Sequence, residues 1–141
     1  MDIIEKVRER GRRFPGGELN RIATGLATIR GRSLGRQDGA FIIIEDDRGY
    51  IQLLADDEGH EFLAEIQSPA YRPDMELPED VVAVIESCGY RHPEARENFS
   101  RWFTMADDGD LLAIAELMRG LMNMVFGHQP GEGLQVTVHV P

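Results

Sequence analysis

Residues 39 to 68 decide the fold, and they read GAFIIIEDDRGYIQLLADDEGHEFLAEIQS. Three hydrophobic segments, residues 39–45, 50–55 and 60–68, are separated by short acidic segments that each end in glycine. Glycine supplies the positive φ that a tight hairpin loop requires, and aspartate hydrogen-bonds within its own turn. The stretch therefore predicts three consecutive antiparallel strands joined by hairpins.

The three strands differ in how apolar their two faces are. Residues 41–44 are apolar at every position, which predicts a central strand covered on both sides for at least part of its length. In the third strand, Phe62, Ala64 and Ile66 alternate with Leu63, Glu65 and Gln67, which are more polar as a set. This alternation predicts one buried face and one partly solvated face.

Two helices are predicted before the meander. Residues 2–13 form a short, weakly apolar helix that Asp2 can cap, and Gly11 favours an early end. Residues 18–30 carry apolar side chains at helical spacing, so this helix has one face to bury. Residues 31–39 contain three glycines and are predicted to form a mobile basic connection.

The second half of the chain adds helices and strands in alternation. It predicts a helix between Pro78 and Gly89, an aromatic strand over residues 98–104, a long helix over residues 110–126 and an alternating strand over residues 134–140. The apolar stripe of the long helix is wide enough to require packing on two sides, and its polar residues are mainly Glu116, Arg119 and Asn123. Because strands occur together before helices intervene, we predict an α+β fold with a mostly antiparallel sheet packed against helices.

Length and composition are those of one globular domain. The chain has 141 residues, of which 42% are hydrophobic and 28% charged. A single cysteine, Cys88, excludes an intrachain disulfide, which fits a reducing compartment. No apolar run approaches the roughly 20 residues of a membrane span, and the N-terminus lacks the apolar segment of a secretory signal. We therefore expect a cytoplasmic protein with no membrane segment and a single domain over residues 1–141.

Charge is unevenly distributed along the chain. Residues 1–36 contain nine Lys/Arg against four Asp/Glu, an excess of five positive charges, whereas the remainder contains six against twenty-one, an excess of fifteen negative charges. The basic segment could bind nucleic acid, or it could be the solvated surface of helices attracted to the acidic body of their own chain. The second interpretation is favoured, because the net charge of −10 repels phosphate at long range.

The sequence contains no constellation that predicts catalysis or metal binding. The four histidines do not occur at the spacings that place ligands on one helix face, and Cys88 reads as core filler without an identifiable base. Residues 107–110 are interpreted as acids at a helix N-terminus rather than as a calcium loop. The acidic residues of the two hairpin turns, 45–47 and 56–58, are interpreted as a solvated surface with ordinary pKa values. We expect no enzyme activity, no cofactor and no metal.

A series of short motifs runs through the chain in a defined order. It comprises Tyr50-Ile51-Gln52, then residues 64–71, then Cys88-Gly89-Tyr90 followed by Pro93 and Asn98-Phe99, and finally Val125-Phe126-Gly127. In order and spacing, this series resembles the type III secretion chaperone-like and YbjN-like domains, which are grouped as TY-Chap. The resemblance covers residues 18–127, and it departs from the family pattern at Pro69-Ala70 and at Cys88.

The resemblance implies a secretion-chaperone-like sandwich of helices on an antiparallel sheet. It also implies a protein- or peptide-binding role, chaperone-like or regulatory, without catalysis. On this basis residues 18–141 form the TY-Chap-like core. Residues 1–17 are a basic N-terminal helical extension without a counterpart in the family.

We therefore expect a module that binds a protein or peptide. The expected partner-binding residues are aromatic or methionine side chains: Tyr71, Phe99, Trp102, Phe103, Met118 and Met122. The alternatives are a nucleic-acid-binding regulator that uses the N-terminal arginines, and a small enzyme with an unrecognised site. A homodimer through the long helix or the last strand is weighed against a monomer in which residues 2–30 cover the surplus apolar surface of that helix.

Overall fold

The computed structural model describes residues 2–14, 16–70, 72, 74–94 and 97–141. Its helices are α1 Ile3–Arg12, α2 Gly16–Ser33, α3 Glu79–Ser87, α4 Met105–Asp108 and α5 Leu111–Phe126. Its strands are β1 Phe41–Asp46, β2 Gly49–Ala55, β3 Glu61–Ile66, β4 Phe99–Thr104 and β5 Gln135–His139. This is an α+β fold with an entirely antiparallel sheet, which confirms the predicted fold class.

The sheet has the strand order β4-β3-β2-β1-β5, so the predicted meander forms its middle. The central strand is β2, and β1 lies one position from the edge. The prediction that residues 41–44 are covered on both sides is wrong. Ile42 and Ile44 are completely buried, whereas Phe41 and Ile43 are only half-buried, because the helices cover only the face to which the even-numbered side chains of β1 point.

The helices form the other part of the molecule. Helix α2 contacts β1, β2 and β5, and α5 contacts β2, while α1 packs along the side of α5. Almost every residue of α5 is therefore buried, including Glu116 and Arg119. Arg8 and Arg12 of α1 form ion pairs with Glu116, and Glu18 of α2 forms one with Arg119, so α1 and α2 cover these two polar residues of the helix. The surplus apolar surface of α5 is thus covered by the first two helices, as the monomer alternative requires.

The contact between α1 and α5 depends on two glycines. A Cβ atom at Gly11 would lie 1.9 Å from the backbone oxygen of Glu116, and one at Gly120 would lie 2.0 Å from the backbone oxygen of Val7. Neither position has room for a side chain, so the two backbones approach more closely than other residues would allow. Gly11 therefore has a packing role, and α1 continues through it to Arg12.

The ends of the helices follow the predicted signals. Asp2 accepts a hydrogen bond from the backbone N–H of Glu5, and Asp110 accepts one from that of Ala113. Gly127 ends α5 in the left-handed region. Helix α2 extends to Ser33, whose hydroxyl accepts a hydrogen bond from the backbone N–H of Ala40, so the basic connection is shorter than predicted. Within the described ranges, no helix is both long enough and apolar enough to cross a membrane.

Candidate functional site

One face of the sheet lies against the helices and the other lies open. In β1, β2 and β3, burial alternates with the two-residue period of a strand, and the buried series points to α2 and α5. The opposite series is half-buried or exposed. We call this second surface the open face. Antiparallel sheets often present one polar face to water, so the side chains of the open face decide whether it needs an explanation.

An apolar row crosses the open face from one edge of the sheet to the other. The strand register places Phe41 opposite both His139 and Leu54, Leu54 opposite Leu63, and Leu63 opposite Trp102. The rings of Phe41 and His139 stack with their centroids 4.6 Å apart. With neighbouring strands about 4.8 Å apart, the row is roughly 19 Å long. A continuous apolar strip of this length on a surface is typical of an interaction site.

Carboxylates lie on both sides of this row. Glu65 occupies the next position along β3 on one side of Leu63, and Glu61 occupies the next position on the other side. Glu45 adds a third carboxylate on β1. Among the described residues, the strands contribute no lysine or arginine to the open face, since Arg101 points to the helix side and pairs with Asp108. The row is therefore apolar along its centre and negatively charged along its flanks.

A depression lies at the β4 end of the row. It has a volume of about 540 Å³ and is lined by Leu63, Glu65, Glu97, Asn98, Ser100 and Trp102 and by two arginines, Arg91 and Arg101. Each of these arginines forms an ion pair within the chain, Arg91 with Glu97 and Arg101 with Asp108. Trp102 is 51% exposed, which is high for the largest side chain of the chain. An aromatic side chain exposed beside a depression is the arrangement from which many protein–protein contacts are built.

The residues expected to bind a partner are found in different places. Trp102 lies on the open face. Phe99, Phe103, Met118 and Met122 are buried in the core between sheet and helices, so they offer no surface to a partner in this fold. Tyr71 lies outside the described residues.

The open-face residues Phe41, Leu54 and Leu63 were missed at the sequence level. Phe41 lies in an all-apolar segment and Leu54 follows the buried Leu53, so hydrophobicity alone did not separate the two faces. The length of the first hairpin turn could have identified residues that share a face. A two-residue hairpin that pairs Asp46 with Gly49 also pairs Phe41 with Leu54, which places the two side chains on the same face.

A second cluster of polar side chains lies at the covered end of the first hairpin. His128 is completely buried, and its Nδ1 lies 2.8 Å from Oδ2 of Asp46. Asp46 also accepts hydrogen bonds from the backbone and the guanidinium of Arg48, and Arg48 reaches Glu132. Burial acts to raise the pKa of Asp46, but the hydrogen bonds from Arg48 and His128 outweigh it and hold this pKa below the ordinary value. The prediction that this carboxylate is solvated with an ordinary pKa is therefore wrong.

The polar cluster continues to Arg119. Its Nε donates to Glu18 at 3.0 Å, and its guanidinium lies over the ring of Phe14 at 3.3 Å from the centroid. Burial lowers the pKa of Arg119, and Glu18 partly offsets this. The arrangement ties α2 to α5 by a buried charge pair. The outer end of the cluster, at Asp46, Arg48 and Glu132, borders two surface depressions of about 470 and 240 Å³. Arg119, Glu18 and His128 line none of the described depressions, and we interpret this inner part of the cluster as structural.

Neither Cys88 nor the histidine and acidic side chains of the described residues are arranged as a catalytic or metal-binding site. Cys88 is completely buried, and burial raises the pKa of its thiol to about 11, far from the range of a reactive thiolate. In the described part of the chain, no three histidine, cysteine or acidic side chains converge as metal ligands.

The N-terminal arginines are largely engaged within the chain. Arg8 and Arg12 both form ion pairs with Glu116, and Arg13 pairs with Glu9. Arg12 also pairs with Glu5, and this hydrogen bond raises the pKa of Arg12. These contacts agree with the interpretation that the basic segment is attracted to acidic residues of its own chain.

Comparison with known proteins adds no family to this description. No family model matches the chain, and no curated protein and no solved structure matches it significantly.

Proposed function

We propose that this protein is a non-catalytic binding module that captures a segment of another protein on the open face of its sheet. The observation that carries the proposal is the row His139–Phe41–Leu54–Leu63–Trp102, which crosses all five strands and which none of the described helices covers. Covering such a row stabilises a complex by roughly 25 cal/mol for each Å² of apolar surface removed from water.

The chemistry of the face selects the partner. Glu61 and Glu65 flank the row, so a second copy of the same face would bring carboxylates against carboxylates. A segment with apolar anchors along its centre and lysine or arginine beside them matches the row and its flanks together. The proposed partner is therefore a basic amphipathic segment of another protein.

This role fits the resemblance to TY-Chap domains, which stays a prediction, as does the cytoplasmic location. A chaperone-like or regulatory protein would use the face to hold an otherwise exposed apolar segment. The alternative of nucleic-acid binding gains no support from the structure, since Arg8, Arg12 and Arg13 form ion pairs within the chain.

Two synthetic amphipathic peptides test the proposal. They share length and leucine positions, but one carries lysine at its polar positions and the other carries glutamate. Trp102 is the single tryptophan of the chain, so its fluorescence reports binding at the row directly. We expect the lysine peptide to shift the emission to shorter wavelength and the glutamate peptide to leave it unchanged. Added salt should weaken the binding, because the flanking charges are exposed.

A pair of matched variants separates the row from general attraction to an acidic protein. Leu63→Gln removes an anchor on the open face and should lower affinity about tenfold, the equivalent of about 1.4 kcal/mol. Leu112→Gln alters an exposed leucine of α5 and should leave affinity unchanged. Equal affinities of both variants for the lysine peptide would contradict the proposal. Tight binding of labelled DNA or RNA with a steep salt dependence would instead support the nucleic-acid alternative.

A further inference from the structure

The hydrogen bonds between the strands show, for each edge strand, which residues direct their backbone N–H and C=O groups away from the sheet. The two edges of the sheet can therefore be compared. Ala55 N–H donates to the oxygen of Ala40, and Gln67 N–H donates to the oxygen of Tyr50. In an antiparallel ladder, directly opposed residues alternate between hydrogen-bonded and non-hydrogen-bonded pairs. Even-numbered residues of β1 therefore direct their N–H and C=O groups to β2, and odd-numbered residues direct theirs to β5. Because odd-numbered residues of β1 lie opposite odd-numbered residues of β5, the odd-numbered β5 residues direct their backbone groups to β1. The groups of Val136 and Val138 therefore point away from the sheet.

The edge formed by β4 is closed at both ends. The same alternation directs the backbone groups of Ser100, Trp102 and Thr104 outward. Arg91 N–H donates to the oxygen of Ser100 at 2.8 Å, and Thr104 N–H donates to the carboxylate of Asp108 at 2.9 Å. A strand from another chain would have to displace both contacts before it could pair here.

The edge formed by β5 has no such protection within the described residues. No described group hydrogen-bonds to the outward backbone atoms of Val136 or Val138. The strand contains no lysine, arginine, aspartate or glutamate, no proline and no glycine. These are the residues by which edge strands usually avoid pairing. Its valine side chains form one wall of a groove of about 330 Å³ whose other wall is α2, at Arg21, Thr24 and Thr28.

We propose that β5 pairs antiparallel with β5 of a second copy of this chain about a two-fold axis at Thr137. The two sheets then form one continuous sheet of ten strands. This interface is formed by the backbone edge of β5, and both open faces lie on the same side of the joined sheet.

The sequence of β5 is complementary to itself in this register. Val136 lies opposite Val138 of the second copy, and their outward N–H and C=O groups form hydrogen-bonded pairs. Thr137 lies opposite Thr137 of the second copy in a non-hydrogen-bonded pair, where side chains approach most closely. Gln135 lies opposite His139, so no like charges meet. This complementarity favours a second copy over an unrelated strand.

The size and charge of the chain set the conditions for the dimer. The strand is five residues long, so α2 must add contacts for the interface to approach the roughly 1,000 Å² that a specific interface buries. The net charge of −10 on each copy opposes association at long range. Dimerisation should therefore strengthen when salt screens this repulsion.

Sedimentation across a dilution series tests the assembly. We expect the mass to rise from 15.9 kDa towards twice that value at concentrations of roughly tens of micromolar, at lower concentration in high salt. Val138→Pro removes an N–H that points outward and leaves the pairing with β1 intact, so it should abolish the dimer without changing circular dichroism. Val138→Thr keeps the N–H and should retain the dimer. A mass of 15.9 kDa at every concentration, or a dimer that survives Val138→Pro, would overturn the proposal.

A disulfide test then fixes the register. In a non-hydrogen-bonded pair the Cα atoms lie about 4.5 Å apart, within the range of a disulfide. Thr137→Cys should therefore form a covalent dimer with oxidised glutathione. Gln135→Cys should not, because its two copies would lie roughly 14 Å apart along the strands. The buried Cys88 does not compete. Equal cross-linking of both variants, or cross-linking of Gln135→Cys alone, would show that this pairing is wrong.

Discussion

The two faces of the sheet are both rich in apolar side chains, but only one of them is covered. On the covered face, Ile42 and Leu53 are completely buried beneath the helices, and Phe62 is buried as well. On the open face, the neighbouring residues Phe41, Leu54 and Leu63 are only half-buried. A strand gives alternate side chains to the two faces, so adjacent residues of one chain segment experience entirely different surroundings.

The charged residues differ between the faces in the same way. On the covered side, Asp46 and Glu18 each contact a cation or histidine, as burial requires. On the open face, Glu61 and Glu65 have no ion pair to a described residue. The comparison indicates that the covered face holds the fold together, while the open face retains apolar and charged groups that stability does not explain. Variants of adjacent residues can test this difference directly.

The largest difference is expected within β2, between Leu53 and Leu54. Leu53→Ala should lower the free energy of unfolding by about 2–5 kcal/mol, because it leaves a cavity beneath the helices. Leu54→Ala removes the same atoms from the open face and should cost less than about 1 kcal/mol, since that side chain is already in partial contact with water. Urea unfolding of both variants measures the difference. Equal costs would mean that the open face is covered in the folded protein.

The distinction between the faces could be predicted only in part from sequence. The meander, the last strand and the long helix were predictable because their periodicity and turns are strong local signals. Which face carries the helices is not a local property. Residues 41–44 are apolar at every position, so only the position of α2 relative to β1 shows that Ile42 is covered and Phe41 is not.

The polar and glycine positions of the helix layer show the same limit. Arg119 has the chemistry of a surface residue, and its burial depends on Glu18, which lies about a hundred positions earlier in the chain. Gly11 is indistinguishable in sequence from a helix terminator, yet its role is set by the backbone of Glu116. The candidate row was also hidden, because it joins residues from all five strands and appears only when the register is known.

A smaller loss of stability is expected from a substitution at the close contact between the backbones of α1 and α5. Gly120→Ala places a Cβ atom 2.0 Å from the backbone oxygen of Val7, so α1 must move away, at a cost of about 1–3 kcal/mol. Gly17→Ala meets no atom within 4 Å and should instead stabilise the protein by about 0.4–1 kcal/mol through the unfolded chain. Thermal unfolding compares the two. If Gly120→Ala also stabilised the protein, α1 would not pack on α5 as described.

The smallest effect at neutral pH is expected from two adjacent aspartates of the first hairpin. The side chain of Asp46 is 5% exposed and points to the covered side, whereas that of Asp47 is 93% exposed. Asp46→Asn weakens the contacts to His128 and Arg48 and should cost about 1–2 kcal/mol. Asp47→Asn should be close to neutral, because exposed ion pairs contribute little.

The pH dependence separates the two aspartates further. Since the folded pKa of Asp46 lies below its unfolded value of about 3.9, the stability that its ionised form contributes is fully present above that value. It is lost as the pH falls through the lower, folded pKa, where the carboxylate is protonated in both states. Urea unfolding of wild type and Asp46→Asn should therefore differ at pH 7 and converge as the pH falls through the folded pKa of Asp46. The Asp47→Asn curve should follow that of wild type throughout. A constant gap between wild type and Asp46→Asn across this range would show that the amide perturbs packing and that the ionised carboxylate contributes nothing to the covered side.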